Sequence, residues 1–177
     1  MTDAKYDRLA IWLHWFIAAM MIVMLFFGEE LMDGDEGGGN FLPSLHISLG
    51  SAILALSLIR LLWRGLYPPP ALPVTMPAWE QRASVAGHML FYVLMIGLPI
   101  TGWLAFPAFV GRHATMASVT VYGLFPVPGA PTLGGAMGGV HNIMSKIGIA
   151  ILILHVLAAL KHQFINRDGI LRRMLPM

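Results

Sequence analysis

Residues 138–164 read GGVHNIMSKIGIAILILHVLAALKHQF, an apolar stretch interrupted by Lys146 and Lys161 and carrying His141 and His155. A helix of roughly 20 apolar residues crosses the hydrocarbon core of a bilayer, so this segment is long enough to span. His141 and His155 are 14 positions apart, which is about 21 Å and nearly four whole turns of helix. Both imidazoles therefore leave the same helix face at different depths. Polar groups are costly in hydrocarbon, and an intramembrane histidine points to function.

Working outward, no charged residue occurs between Arg8 and Glu29, between Glu36 and Arg60, or between Arg82 and Arg112. The reading is an all-α integral membrane four-helix bundle, with helices predicted near 8–29, 43–65, 81–108 and 138–165. Strands would leave unpaired backbone groups in lipid. The composition agrees: the 177 residues are 57% hydrophobic and 11% charged, with a mean hydropathy of +0.72, whereas soluble domains carry about a quarter charged residues. There is no cysteine, which excludes disulfides, thiolate metal sites and covalent haem attachment through C-x-x-C-H. A net charge of +2 without a basic, aromatic-rich patch argues against nucleic acid. Lys5 and Arg8 precede the first apolar run as in a signal peptide, but Gly28-Glu29-Glu30 is no small-x-small cleavage site.

The basic residues orient the bundle. Lys5, Arg8, Arg60, Arg64, Arg82, Lys161, Arg167, Arg172 and Arg173 fall on one side, and Arg112 and Lys146 on or near the other. The positive-inside rule makes the richer side, with both termini, cytoplasmic. On that side Tyr67-Pro68-Pro69-Pro70-Ala71-Leu72-Pro73 forms a stiff, extended link. On the outer side, the first loop holds Glu29, Glu30, Asp33, Asp35 and Glu36, then three glycines. The second outer connection, about 109–137, is rich in Gly and Pro, and its Phe109, Tyr122 and Phe125 suit the membrane interface.

Five histidines lie at membrane depth: His14, His46, His88, His141 and His155. Matching levels pairs His14 with His155 in the inner half and His46 with His141 in the outer half. Facing neutral imidazoles suit the two axial positions of a haem iron. Zinc would want a fourfold set including thiolate or carboxylate, and a proton relay usually includes Asp or Glu, which these spans lack. Copper held by His and Met stays open, given 13 methionines. A flat macrocycle needs small neighbours beside its ligand. The residues four positions on are Ala18, Gly50, Ser145 and Ala159 for the paired histidines, but Tyr92 for His88. Arg60 and Arg64 are candidate partners for inner propionates and Lys146 for an outer one, with membrane anchoring and snorkelling the plain alternatives.

Several stretches resemble the bacterial cytochrome b561 family of small membrane cytochromes. They are Tyr6-Asp7-Arg8-Leu9 with His14-Trp15, His46 with Gly50, Arg60-Leu61-Leu62-Trp63-Arg64 with Tyr67-Pro68, and Gly87-His88 running to Leu98-Pro99-Ile100-Thr101-Gly102. His141, His155, His162 and Leu171-Arg172-Arg173-Met174-Leu175-Pro176 complete the pattern. The resemblance implies a single transmembrane cytochrome b domain over 1–177 in the bacterial inner membrane, with two haem b. It places the axial ligands at His14 and His155 (inner) and His46 and His141 (outer). It also implies electron exchange with ubiquinone, for which His88, His162 and Trp12 are the inner-side candidates. Some members resemble superoxide oxidases that take electrons from superoxide at the periplasmic face. Related longer subunits are electron conduits for dehydrogenases or hydrogenases. Five carboxylates in the first outer loop repel a small anion and suit a basic protein donor. A haem-free transporter using the histidines as a relay is the third alternative.

Overall fold

The computed structural model describes residues 5–33, 40–110, 118–131, 133 and 135–176. Four long helices dominate: α1 (Arg8–Asp33), α2 (Phe41–Leu66), α3 (Ala78–Val110) and α4 (Ala136–Lys161). All four are long and apolar enough to cross a membrane. They pack as two hairpins, α1 on α2 and α3 on α4, joined mainly by α2 against α3 and only lightly by α1 against α4.

Each helix starts and stops for local reasons. Asp7 caps α1, its Oδ1 accepting from the Ala10 amide at 3.0 Å. The same oxygen accepts from Trp63 Nε1 at 2.9 Å, tying α1 to the end of α2. At its far end α1 continues to Asp33, so Glu29, Glu30 and Asp33 are helical rather than in the loop expected from sequence. Leu31 and Met32 are good helix formers, and no breaker stands between Gly28 and Gly34. Asp35 and Glu36 lie outside the described residues, as do Arg112 and His113. The third helix begins at Ala78, three residues before the expected start, because the Pro77 carbonyl accepts from Gln81 N at 3.1 Å. Glu80 thus occupies the first turn, where the helix dipole favours a carboxylate.

The core sits between the helices at mid-height. Ile17, Met21 and Leu25 of α1, spaced four apart, meet Ile53 of α2 and Tyr92, Leu94, Met95 and Leu98 of α3. Outside it, large apolar side chains such as Phe16, Phe27, Leu62 and Leu154 are exposed. In water such a surface would aggregate, whereas in lipid it is the solvated face.

The second outer connection holds a short antiparallel hairpin, β1 (Thr120–Val121) with β2 (Phe125–Pro126). Tyr122 and Gly123 turn it with φ of 55° and 68°, the left-handed pair a tight hairpin turn requires. A serine ladder on α2 straps it down. Ser44 Oγ accepts from Thr120 N at 3.1 Å, Ser48 Oγ from Tyr122 N at 2.7 Å, and Ser51 Oγ donates to the Tyr122 hydroxyl at 2.9 Å. Phe109 belongs to the last turn of α3 rather than to this loop.

At the opposite end α4 runs into a π-turn (His162–Asn166) and a short 3₁₀ helix (Leu171–Met174). That last segment gathers the basal surface. Trp15 Nε1 donates to Met174 O at 2.7 Å, Tyr6 N to Arg173 O at 3.4 Å, and Arg173 Nη1 to Ala71 O in the proline link at 2.7 Å.

Candidate functional site: two imidazole levels

The intramembrane histidines meet in the bundle interior. His14 of α1 faces His155 of α4 with ring centroids 6.3 Å apart and planes at 64°. His46 of α2 faces His141 of α4, also at 6.3 Å, with planes at 54°. His88 of α3 joins the inner level edge-on, 5.8 Å from His155 at 87°, beside Phe91.

One interval runs through all four helices. The inner level holds His14, Arg60, His88 and His155, and the outer level holds Gly28, His46, Gly102 and His141. On every helix the two members are 14 residues apart, about 21 Å along the axis. The structure shows why the glycines belong there. A Cβ on Gly102 would stand 3.1 Å from His141 Cε1, and one on Gly28 would stand 3.4 Å from His46 Cε1. Each ring of the outer pair therefore lies against a neighbouring backbone that has no side chain. Arg60 lies within electrostatic reach of His14, His88 and His155, and Arg64 of His88. Both arginines line a small basal cleft with Tyr6, Trp63 and Tyr67.

Hydrogen bonds set the chemistry of individual nitrogens. Leu98 O is 2.9 Å from His141 Nδ1, and a carbonyl only accepts, so Nδ1 carries the proton and Nε2 is bare. Thr101 Oγ1, bonded back to the Gly97 and Leu98 carbonyls, lies 3.2 Å from the same Nδ1. His88 Nδ1 likewise donates to Ser84 O at 2.6 Å. His46 Nδ1 lies against the Gly28 backbone. A ring nitrogen left free in the tautomer set by a carbonyl is a metal donor.

The spacing tests what fits between the rings. A metal bonded by one nitrogen of each ring at about 2 Å, with each nitrogen about 1 Å from its ring centre, sets the centroids about 6 Å apart. Two facing neutral imidazoles, without thiolate or carboxylate, are a donor set that fits haem iron. Among the described residues, no three His, Asp or Glu side chains gather as a metal ion would require.

The remaining candidates separate. His162 stands seven residues below His155, is hydrogen-bonded to Asp168 and lies 3.8 Å from Glu80, neither of which sequence reasoning singled out. Trp12 is half exposed on the outer surface of α1 with Phe16 as its ring neighbour, away from the contacts of His88 and His162. Lys146 is an exposed residue of α4 without a polar partner among the described residues.

Fold and site together define a multi-pass membrane protein with two levels of paired imidazoles in its interior. The family model of prokaryotic cytochrome b561 matches residues 5–177, and the chain belongs to that family. It is 29% identical over 180 residues to cytochrome b561 homolog 2 of Escherichia coli, covering 98% of this chain and 93% of that protein. It is 30% identical over 183 residues to the probable superoxide oxidase CybB of Yersinia pestis, covering 97% and 96%. Cytochrome b562 of Cereibacter sphaeroides is 28% identical over 179 residues, covering 98% and 96%. The chain is thus a bacterial membrane cytochrome of electron transport, and membership in the family implies b-type haem.

Proposed function

We propose that this chain is a diheme cytochrome that moves electrons across the inner membrane between an outer donor and a quinone on the cytoplasmic side. The observation that carries this reading is the pair of imidazole gaps, both 6.3 Å, set on the shared interval of 14 residues. His14 with His155 and His46 with His141 would hold the two haems within one domain spanning 1–177, with both termini cytoplasmic. Equal spacing favours His14 over His88 as the partner of His155. When bound, haem iron supplies reversible one-electron chemistry that no side chain here can supply.

The protein's own residues do the rest. Leu98 O holds the His141 ring in the tautomer that leaves Nε2 free. Gly28 and Gly102 admit the outer rings against bare backbone. Arg60 and Arg64 place positive charge at the inner level, where they would compensate haem propionates in low dielectric. Lys146 would do the same for an outer propionate. His88 and His162 lie on the α3–α4 seam, which is the proposed quinone-binding wall. Trp12 stands apart from that seam on α1 and is left outside the proposed quinone site.

Superoxide is the first donor to test, supported by the likeness to the probable superoxide oxidase of Yersinia pestis. A protein donor is favoured instead by Glu29 and Glu30 at the outer end of α1, which makes the chain a conduit subunit for a dehydrogenase or hydrogenase. The purified protein is mixed with superoxide and ubiquinone in stopped flow. Rapid haem reduction followed by quinol formation supports a superoxide:ubiquinone oxidoreductase. Silence toward superoxide, with reduction only by an added protein, supports the conduit. A preparation without pyridine-extractable haem refutes both.

A further inference from the structure

The sequence marks His162 as an inner-side quinone candidate and gives Glu80 no role, yet the structure joins the two in one polar cluster. Lys161 Nζ donates to Glu80 Oε1 at 2.5 Å and lies over the Trp79 ring at 5.5 Å. The other carboxylate oxygen, Glu80 Oε2, is buried and has no hydrogen-bond partner. Only 10% of the Glu80 side chain is exposed, and 13% of His162. That free oxygen is 3.8 Å from His162 Nε2. On the other edge of the ring, His162 Nδ1 donates to Asp168 Oδ2 at 2.6 Å, and the Asn166 side chain lies 3.2 Å away.

The backbone is bent to make this arrangement. The π-turn begins at His162, and Arg167 takes a left-handed φ of 52°, followed by Gly169 at 77°. Non-glycine residues rarely adopt that region, and π-turns concentrate at functional sites. The reversal folds Asp168 back onto the ring, and Asp168 Oδ1 accepts from Ile170 N at 3.2 Å to hold it there.

The tautomer then follows. With Nδ1–H committed to Asp168, a neutral His162 presents a bare Nε2 to an unpartnered carboxylate oxygen, two acceptors facing each other. One added proton between them resolves both. The cluster also lies on a line of titratable groups. His162 is seven residues from His155 on α4, and Glu80 is eight from His88 on α3, so each lies about two turns below the inner level. His88 and His155 themselves are in ring contact.

We infer that the gap between Glu80 Oε2 and His162 Nε2 is a proton-loading site at the cytoplasmic end of the α3–α4 seam, which takes protons from cytoplasmic water for the quinone reaction. The inference rests on the quinone reading above. Each quinone converted to quinol takes two electrons, delivered singly from the donor through the haems, and two protons. The cluster supplies those protons one at a time and reloads from water, and Asp168 fixes the ring so that only Nε2 exchanges. His162 and Glu80 touch neither iron nor its ligands, so they act on the proton and leave haem binding alone.

The test uses haem-loaded protein in lipid nanodiscs, as wild type, Glu80→Gln, His162→Gln and Asp168→Asn. Three readouts are taken: haem content with visible spectrum, proton uptake reported by a pH dye on chemical reduction without quinone, and reoxidation of the reduced haems by a soluble ubiquinone in H₂O and D₂O. Expected for Glu80→Gln and His162→Gln are a full haem complement, loss of most of the dye-reported uptake, and reoxidation slowed on the order of a hundredfold with an enlarged solvent isotope effect. Asp168→Asn shows a smaller loss, because the ring remains but its tautomer is freed. His162→Gln keeps the Lys161–Glu80 pair, so it reports even where Glu80→Gln fails to fold. Uptake and reoxidation within twofold of wild type in His162→Gln overturn the inference. If the wild type does not reduce quinone at all, the quinone reading falls, and dye-reported uptake alone decides the proton site: uptake lost in His162→Gln upholds it, and uptake retained refutes it.

Discussion

Gly102 has a hydrogen where any other residue has a carbon, and the outer imidazole pair depends on it. A valine there places a carbon 3.1 Å from His141 Cε1 and pushes the ring off the Leu98 carbonyl. Gly102→Val is therefore expected to lose the outer haem and keep the inner one, a halving of pyridine-extractable haem per chain. His46→Ala and His141→Ala are expected to give the same halving, and His88→Ala to retain both haems. Two haems after His141→Ala, or one after His88→Ala, would sink the proposed ligand set. The histidines themselves were plain in the sequence, because a polar ring in an apolar run has few bland explanations. Gly28 and Gly102 were not, since a glycine in a membrane helix usually marks close helix packing. The shared interval of 14 residues is the signal that singles them out, and it becomes readable once each helix is aligned on its histidine.

At the scale of elements, the four spans could be read directly from the gaps between charges, and the ends of the helices could not. The third helix is longer than the uncharged run because its first turn accommodates Glu80, held by Lys161 from α4. A count of charges treats such a residue as outside the membrane helix. The structure supplies the cross-helix partner that makes it part of the seam. Asp168 was equally hidden, because only the left-handed Arg167 brings it back to His162. The outer hairpin is another case in which tertiary partners matter more than propensity. Two strands of two residues are unstable alone, and three serines of α2 hold them. Ser48→Ala removes the acceptor for Tyr122 N at a cost of about 1 kcal/mol. Amide exchange at Tyr122 is expected to quicken about fivefold, while α3 and α4 exchange as before. An unchanged rate at Tyr122 would mean that the strap is held elsewhere.

For the whole molecule, orientation and donor are the open quantities, and each has a direct measurement. Alkaline phosphatase fused after Met177 is expected to be inactive and a fluorescent protein fused there to be bright, because both termini are read as cytoplasmic. The reverse pattern would invert every assignment of inner and outer. If a basic protein is the donor, its rate of haem reduction falls steeply between low salt and 0.1 M, where the screening length is about 10 Å. A flat salt profile argues for a small donor. The packing of the bundle carries one more consequence. His14 and His46 belong to the α1–α2 leaf, and their partners His141 and His155 to the α3–α4 leaf. The leaves are hinged where α2 meets α3 and barely touch where α1 meets α4. Held between the proposed histidine pairs, haems would bolt together the two covers of an open book. Insertion of the pages would then precede the pigments and closure, and a cell starved of iron is expected to accumulate the unbolted form for its proteases to find.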